Sequence, residues 1–463
     1  MAIVTTRYII RWFSQVMTQY PLVGSASLIW CITLILQLFS QVELSRGISF
    51  SSNVELIIQF VGRVSALSIP LLFLCVLLLR RHTRIVKKRL VYLFSGGIIF
   101  MYMFDNLVLK DWKTEQMQIN QEFFIILSIL ILGVTFVPCL TDSLRSFWVF
   151  NNTLFVKLLK TVTYSLLVLM GLNFILLIFD FLLQLKVEFW VYQIGFLIIC
   201  CGFGPLYFLS QVPVFNKDYN NNEAFPKFYV LFSSIYLLPV SVGSIIGMYV
   251  YSIGLLITKT WPPMEMQIIF VVSSSIVIFL MFQFELLSSK LKSKLVTIFL
   301  RYIYISILPL AMVFIIQLTL YLIKEGITEF WYLISVYIVW VIGVCIYFIT
   351  SKKRDIRLIP ISLSCILCVL LIGPLKPYEI SVNSQYSRLL KSLEKHSILD
   401  KQKIIILEKK HEISNKEKEV IKDRLFFLET HNKLMILQRH YPYPIDKQSI
   451  TMQRLIDDLG LEI

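Results

Sequence analysis

Eleven apolar runs dominate the chain, and each is long enough to form a helix that crosses a membrane. Such a helix needs about 20 mostly apolar residues to cover roughly 30 Å of hydrocarbon, and charged residues fall mainly between the runs. The pattern predicts an all-α polytopic membrane protein with about eleven transmembrane helices within residues 21–374. The predicted spans are residues 22–40, 57–79, 90–108, 122–140, 161–183, 189–209, 228–257, 267–287, 302–323, 331–350 and 358–374.

The first 20 residues have a different pattern. Bulky side chains such as Trp12, Phe13 and Tyr20 accompany Arg7 and Arg11, without a continuous apolar core. This mixture is typical of a helix that lies in the membrane interface. We therefore predict an interfacial amphipathic segment over residues 1–20.

Basic residues between the spans predict how the chain is oriented. One set of alternate loops carries 21 Lys and Arg, and the other set carries 6. Loops rich in Lys and Arg stay in the cytoplasm. This bias predicts a cytoplasmic N-terminus, and an odd number of spans then predicts an extracytoplasmic C-terminal domain. The bilayer is the cytoplasmic membrane in this interpretation.

Several predicted spans contain proline, and one contains a pair of glycines at GxxxG spacing. Proline in a span kinks the helix, and neighbouring groups satisfy the freed backbone; Gly243 and Gly247 form a GxxxG pattern that would let another helix approach closely. The prolines within predicted spans are Pro70, Pro205, Pro239, Pro309 and Pro360.

Residues 375–463 are far more polar and predict a small soluble domain of α or α+β class. Ser381 is a candidate N-cap for a first helix that ends near His396, and residues 403–407 form a candidate strand. Ser414 and Glu417 have capping-box spacing, and Ser449 is the candidate N-cap of a last helix.

An apolar stripe marks the helix that follows Ser414. Ile421, Leu425 and Leu428 recur at helical spacing, and such a stripe must be buried against something. We predict that it packs on Leu389 and Leu393 of the first helix of the domain.

Two motifs near the end of the spans resemble a known family. Gly326-Ile-Thr-Glu329 precedes a span and a basic loop, and Gly373-Pro374 precedes Ser381-Val-Asn-Ser-Gln-Tyr-Ser-Arg-Leu389. This order resembles the bacterial "domain of unknown function 4153" membrane family, most clearly over residues 300–440. Phe330 stands where that family usually has asparagine. The resemblance implies a multi-pass architecture and an inner-membrane location, but no mechanism.

Composition excludes several function classes. The net charge is +15, but the basic residues sit in short loops where they orient helices, so we expect no nucleic-acid partner. The chain lacks HExxH, GxSxG and phosphate-loop motifs, and its histidines lack metal-ligand spacing. Cys365 and Cys368 have metal-site spacing but lie within an apolar span. We therefore expect no cofactor, no metal and no catalytic residue.

Charged and polar residues within the spans form the candidate site. Arg63, Asp105 and Asp180 all fall in the outer third of the membrane in the predicted topology. A charge is costly there unless it is paired or snorkels to the interface. A functional interpretation is an outward-facing polar site that binds an ion, a headgroup or a solute. The structural alternative is a helix-packing salt bridge between Arg63 and Asp105 or Asp180, or separate side chains that snorkel outward. Deeper polar residues could extend this site: Asn173, Gln193 and Gln317.

Two functions remain open at the level of sequence. The first is a non-enzymatic envelope component whose C-terminal domain, residues 375–463, binds a partner protein or a cell-wall ligand. The alternative is a secondary transporter of an ion or small solute through the helical bundle. Against the alternative, the sequence contains no clear inverted repeat and no paired broken helices.

Overall fold

The computed structural model describes most of the predicted spans and a large part of the C-terminal region. The described residues are 13–45, 51–81, 95–99, 102–103, 116–140, 142–182, 184–212, 233–258, 265–291, 294–351, 354–396, 398–400, 403–404, 414–440, 455–456 and 459.

Helices account for nearly all of the described secondary structure. In the apolar part they are α1 (Pro21–Ser45), α2 (Ser52–Arg81), α3 (Gln116–Phe136), α4 (Leu144–Leu182), α5 (Phe189–Leu197), α6 (Gly204–Gln211), α7 (Leu238–Thr258), α8 (Glu265–Leu291), α9 (Lys294–Glu325), α10 (Glu329–Thr350) and α11 (Leu358–Val369). The C-terminal part contains α12 (Pro377–Lys395), β1 (Leu399–Asp400), β2 (Lys403–Ile404) and α13 (Asn415–Thr430).

The prediction of an all-α polytopic membrane protein is confirmed. Within the described ranges, nine helical segments are long and apolar enough to cross a membrane. Two of the predicted spans are not among these nine segments. Residues 90–108 lie mostly outside the described residues, and α11 has 12 residues, which is roughly 18 Å of helix at 1.5 Å per residue. The total of eleven spans therefore stays a prediction.

The spans pack through large apolar side chains. α1 packs on α2, α2 and α11 pack on α3, and α9 packs on α10. At the α8–α9 contact, Phe270 stacks on Phe314 with ring centroids 4.8 Å apart. Tyr304 of α9 stacks on Phe348 of α10 at the same separation. Outward faces remain apolar, as in the 66% exposed Phe174 of α4, because they face lipid rather than water.

Proline shapes the sixth predicted span, residues 189–209, as expected. A π-helical turn, Ile198–Phe203, separates α5 from α6, and Pro205 follows in the first turn of α6. Pro205 has no N–H for the carbonyl four residues earlier, which belongs to Cys201. Ser27 of α1 donates a hydrogen bond to that carbonyl at 3.1 Å, so a neighbouring helix satisfies the freed group.

The GxxxG pattern has no close neighbour among the described residues, so its predicted helix contact stays a prediction. A Cβ atom added at Gly243 or Gly247 would meet no atom of the described chain within 4 Å. The exposed side chains Val240 and Ile246 also lie on α7. These glycines therefore do not mark a close helix–helix contact within the described chain.

Part of the predicted interfacial segment is described. Residues 13–19 are helical, and Val16 and Tyr20 are buried in the core of the helical bundle. Arg80 from the end of α2 donates to the Tyr20 hydroxyl at 2.7 Å. These contacts tie residues 13–20 to the spans, and the boundary at residue 20 stays a prediction.

The C-terminal part has its own core. Ile421, Leu425 and Leu428 of α13 pack with Leu389 and Leu393 of α12, and each is at most 1% exposed. The predicted stripe and its partners are confirmed. A two-residue ladder, β1–β2, pairs antiparallel in the same part of the chain; β2 lies at the start of the predicted strand 403–407, whereas β1 precedes it.

Two predicted helix caps are wrong in detail. α12 begins at Pro377, with Lys376 as its N-cap, because proline is favoured in the first turn of a helix; Ser381 therefore lies inside the helix. α13 begins after Ser414 as predicted, but the Ser414 side chain makes no capping hydrogen bond. Ser449 lies outside the described residues.

Candidate functional site

The turn between α9 and α10 is where the spans meet the C-terminal part. Gly326 follows the last residue of α9 with φ +95°, a left-handed conformation that glycine adopts without strain and that commonly ends helices. Its N–H bonds the Leu322 carbonyl at 3.1 Å. A Cβ atom here would lie 2.7 Å from Cδ of Arg388 and 2.8 Å from Nε2 of Gln385. Gly326 is therefore required both for the turn and for the approach of α12.

Arg388 of α12 satisfies the exposed end of α9. The last four carbonyls of a helix have no partner within the helix. The Arg388 guanidinium donates to three consecutive carbonyls, at 3.1 Å to Leu322, 2.5 Å to Ile323 and 2.8 Å to Lys324. Its positive charge also lies at the negative end of the helix dipole. Arg388 therefore fastens α12 to the end of a membrane-spanning helix.

Ser384 and Gln385 extend this contact. The Ser384 hydroxyl accepts a hydrogen bond from the Ile327 N–H at 2.9 Å. The Gln385 amide donates to the carbonyls of Glu325 at 3.5 Å and Ile327 at 3.4 Å. Side chains of α12 thus form hydrogen bonds with the backbone of the turn.

Glu329, the first residue of α10, completes the joint. One of its carboxylate oxygens, Oε1, accepts a hydrogen bond from the Ser381 hydroxyl at 2.5 Å and lies 2.7 Å from Nε2 of His431. The His431 and Glu329 side chains are only 7% and 14% exposed. A charge-assisted bond with little solvent around it is stronger than a surface ion pair. We call Gly326, Glu329, Ser381, Arg388 and His431 the interdomain latch.

His431 is fixed from several sides. Its Nδ1 lies 2.7 Å from the Phe427 carbonyl, and its ring stacks on Phe427 with centroids 3.9 Å apart. Its carbonyl accepts a hydrogen bond from the Tyr378 hydroxyl at 2.7 Å. Burial disfavours the protonated ring, but the hydrogen bond and charge of Glu329 outweigh it, so the pKa of His431 is raised above 6.5. The protonated form carries the ion pair.

Serine, histidine and glutamate meet here without the geometry of a hydrolytic triad. In a triad the histidine takes the serine proton, and the carboxylate holds the other ring nitrogen. Here the Ser381 hydroxyl donates a hydrogen bond to the Glu329 carboxylate and none to a histidine nitrogen. Ser381 is also fully buried. His431 Nδ1 meets a backbone carbonyl instead. The arrangement is that of a structural joint.

A second contact joins the same two parts. Lys376, which precedes α12, forms a salt bridge with Glu122 near the start of α3 at 3.0 Å. Gln118 donates to the same carboxylate oxygen at 3.1 Å. The Lys376 and Glu122 side chains are 26% and 12% exposed. The C-terminal part is therefore anchored at two places, both at the same end of the bundle.

The structure gives the predicted intramembrane charges separate partners. Arg63 donates to Oδ1 of Asn120 across the α2–α3 contact at 2.7 Å. Asp180, near the end of α4, accepts a hydrogen bond from the Val187 N–H at 3.1 Å. Asp105 lies outside the described residues. The pairing of Arg63 with Asp105 or Asp180 stays a prediction, and sequence reasoning missed Asn120.

The deeper polar candidates lie on three helices. Asn173 is on α4, Gln193 on α5 and Gln317 on α9, and all three are partly buried. The carbonyl oxygens of the Asn173 and Gln317 amides are buried and accept no hydrogen bond from the described chain. The described residues thus give no contact that joins these amides into one site. They also contain no group of three His, Cys, Asp or Glu placed to bind a metal ion.

One comparison with known proteins decides the family. Residues 31–408 match the family described as "Domain of unknown function (DUF4153)". The chain belongs to the DUF4153 family. No curated protein and no solved structure matches it. In this DUF4153 protein, the motif Gly326–Glu329 lies in the turn between α9 and α10, and the motif Ser381–Leu389 lies on α12.

Those motifs of the DUF4153 chain form the latch. Gly326 and Glu329 are the first and last residues of the GITE motif, and Ser381 and Arg388 belong to the motif of α12. Ser381 and Glu329 are 52 positions apart in the sequence, yet their side chains are hydrogen-bonded in the fold. Their spacing is therefore explained by contact between the spans and the C-terminal part.

Sequence reasoning missed the role of these residues, although a signal was present. Ser381, Gln385 and Arg388 recur at i, i+4 and i+7, which places them on one helix face. The apolar residues Leu389 and Leu393 mark a different face. Two faces on one helix indicate two sets of contacts. The polar face carries hydrogen-bonding side chains, which suit a partner with exposed backbone groups.

Proposed function

We propose that this DUF4153 protein is a non-enzymatic component of the bacterial envelope whose C-terminal domain binds a partner outside the cytoplasm. The observation that carries the proposal is the interdomain latch. Arg388 holds α12 against the end of α9, and Glu329 at the start of α10 accepts hydrogen bonds from Ser381 of α12 and from His431. A domain fixed in this way presents a surface at a constant distance from the membrane.

The orientation proposed from the basic loops agrees with where contacts lie along the helices. Lys376 and the latch contact the start of α3 and the α9–α10 turn. The opposite end of the bundle carries Arg80, which bonds Tyr20, and Arg357, which donates to the Asp142 carbonyl at 3.0 Å. Arg80 and Arg357, two of the residues behind the loop bias, thus lie at the end opposite to the C-terminal part, as the proposal requires.

A reporter fusion tests the orientation. Alkaline phosphatase folds only outside the cytoplasm, so a fusion after Gln448 should be active. Green fluorescent protein at the same point should remain dark when exported through the general secretory route. A fluorescent, phosphatase-inactive pair of fusions would place the C-terminal domain in the cytoplasm and overturn this part of the proposal.

Complementation tests the functional role of the domain. A deletion strain of the source bacterium would be scored for detergent sensitivity, as a measure of envelope integrity. The wild-type chain should restore resistance, and Leu425→Asp should fail although its spans still insert. Lys416→Asp, at an exposed position on the same helix, serves as the matched control. Full rescue by Leu425→Asp would show that the domain is dispensable.

Partner binding is tested by photo-crosslinking in cells. Phe426 and Met435 are large apolar side chains with 60% and 48% exposure on the C-terminal part, and each would be replaced by a photoreactive amino acid. Lys391, also exposed, provides a polar control position on α12. An adduct of defined mass at Phe426 or Met435 supports the proposal. Adducts that are equal at all three positions would indicate random collisions and contradict it.

Transport of an ion or polar solute is the alternative function. A cavity of about 570 Å³ lies between the spans, and its lining is overwhelmingly apolar. Arg63, Asp180 and Gln317 do not line it. A polar solute needs polar groups to replace its water, so this cavity favours the envelope role over polar transport.

A further inference from the structure

A large cavity lies within the bundle and is unrelated to the latch. Its volume is about 570 Å³, within the range of roughly 300–1,000 Å³ that is usual for ligand pockets. Its walls come from α1, α2, α3, α4, α6, α8, α10 and α11. Three of the span prolines, Pro70, Pro205 and Pro360, line it, at places where helices cannot continue a regular hydrogen-bond ladder.

The cavity communicates with the hydrocarbon region. Ile131 and Leu158 line it and are 52% and 48% exposed, on spans whose outward faces meet lipid. In a bilayer, lipid chains are the apolar molecules present at high concentration beside such an opening. The opening therefore favours a ligand that enters sideways from the membrane over one that enters from water.

Most polar groups in the wall already have partners. Asn151 donates to the carbonyls of Thr135 and Phe147, each at 2.9 Å. The Tyr337 hydroxyl lies 2.7 Å from the Ser275 hydroxyl. Trp340 donates to the Ser362 hydroxyl at 2.9 Å. These groups hold the wall together and are not free for a ligand.

Gln283 is different. It lines the cavity, it is 2% exposed, and its Oε1 accepts no hydrogen bond from the described residues. A buried acceptor without a hydrogen bond is unfavourable, so a donor on a bound molecule would be favoured there. Gln283 lies roughly 27 Å along α8 from Glu265 at 1.5 Å per residue, near the end of the bundle opposite to the latch.

We propose that this cavity binds a long-chain lipid that carries a hydroxyl group. The chain occupies the apolar part between α3, α4 and α8, and the hydroxyl donates a hydrogen bond to Gln283 Oε1. Both features of the ligand follow from the wall, because apolar side chains select the chain and a single unpartnered acceptor selects a donor. This inference is independent of the proposed role of the C-terminal domain.

The test uses the full chain in phosphatidylcholine nanodiscs and hexadecanol with a photoreactive diazirine in its chain. Labelled peptides would be mapped by mass spectrometry. We expect labelling to concentrate on residues 151–158 and 275–283, above that of the lipid-facing part of α4 near Leu166. Uniform labelling of all lipid-facing peptides would overturn the proposal, because it would indicate contact with bulk lipid only.

Filling the cavity provides the first variant. Leu154 lines the cavity and is 9% exposed, whereas Leu166 of the same helix is 52% exposed. Leu154→Trp should reduce labelling of the cavity peptides about tenfold, the change that 1.4 kcal/mol produces, and Leu166→Trp should leave it unchanged. Both variants must elute as monodisperse protein. Undiminished labelling in a folded Leu154→Trp protein would contradict the proposal.

Removing the acceptor provides an independent variant that leaves the cavity open. In the wild type, unlabelled hexadecanol should compete roughly tenfold better than hexadecane, since an unmade hydrogen bond in an apolar site has an effect of this size. Gln283→Met keeps a similar volume without a strong acceptor, so the two competitors should become equal. An unchanged preference for the alcohol in Gln283→Met would show that Gln283 does not recognise the hydroxyl.

Discussion

Nε2 of His431 lies 2.7 Å from Oε1 of Glu329, and this contact joins the C-terminal part to the first turn of a membrane-spanning helix. Ser381 shares the same carboxylate oxygen. Arg388 bonds the neighbouring helix end on the same side of the joint.

Arg388→Ala should loosen the joint. The substitution removes hydrogen bonds to three carbonyls at the end of α9, and we expect the joint to lose about 1.5–3 kcal/mol, as for hydrogen bonds to charged groups. Limited proteolysis of the purified full chain should then cut between α12 and α13 faster than in the wild type. Lys391→Ala, an exposed position on the same helix, should behave as the wild type. Equal cleavage rates for Arg388→Ala and Lys391→Ala would contradict the assigned role.

The latch should weaken as pH rises. His431 has a pKa above 6.5 in the folded protein, because Glu329 outweighs the effect of burial. A raised pKa contributes stability that is fully present below pH 6.5 and is lost as pH rises through the folded value. Protection from proteolysis should follow that course in the wild type. Glu329→Gln removes the negative charge, so the loss of protection from proteolysis with rising pH should disappear in this variant. An unchanged loss of protection in Glu329→Gln would show that another group titrates.

Leu425→Asp should unfold the C-terminal part, whereas Phe426→Asp should not. Leu425 is fully buried and Phe426 is 60% exposed, although the two are adjacent on α13. A buried, unpaired carboxylate costs several kcal/mol, and a small core has little reserve. We also predict that residues 375–463 fold without the spans, which circular dichroism melts of the isolated segment would measure. A non-cooperative wild-type melt would show that the latch is needed for folding.

Arg63 should be energetically coupled to Asp105 or Asp180. Arg63 donates a hydrogen bond to the Asn120 amide oxygen, and an opposite charge close to the guanidinium would lower the cost of a charge in this region. Double-mutant cycles with alanine at Arg63 and at each aspartate should give a coupling of about 1 kcal/mol for one pair, above the roughly 0.3–0.5 kcal/mol scatter of independent sites. The readout is the thermal stability of the detergent-solubilised chain. If the effects of the two substitutions are additive in both cycles, Arg63 is coupled to neither aspartate, and the predicted pairing is refuted.

The sequence was sufficient for the features that depend on local patterns. Apolar runs of membrane-spanning length predicted the spans, because every backbone group in lipid must be bonded within a helix. The stripe through Ile421, Leu425 and Leu428 predicted one face of the core of the C-terminal part, because helical periodicity places these side chains together. The order of two motifs indicated the DUF4153 family.

Only the tertiary structure showed what those motifs do. Ser381 resembles a helix cap in the sequence, but Pro377 starts the helix earlier and leaves Ser381 facing Glu329. Gln283 is one amide among many in an apolar run until the packing of the spans places it in a cavity wall. Local preference decides where a helix begins and which residues share a face. Contacts between distant segments depend on packing, and the latch and the cavity are both made of such contacts.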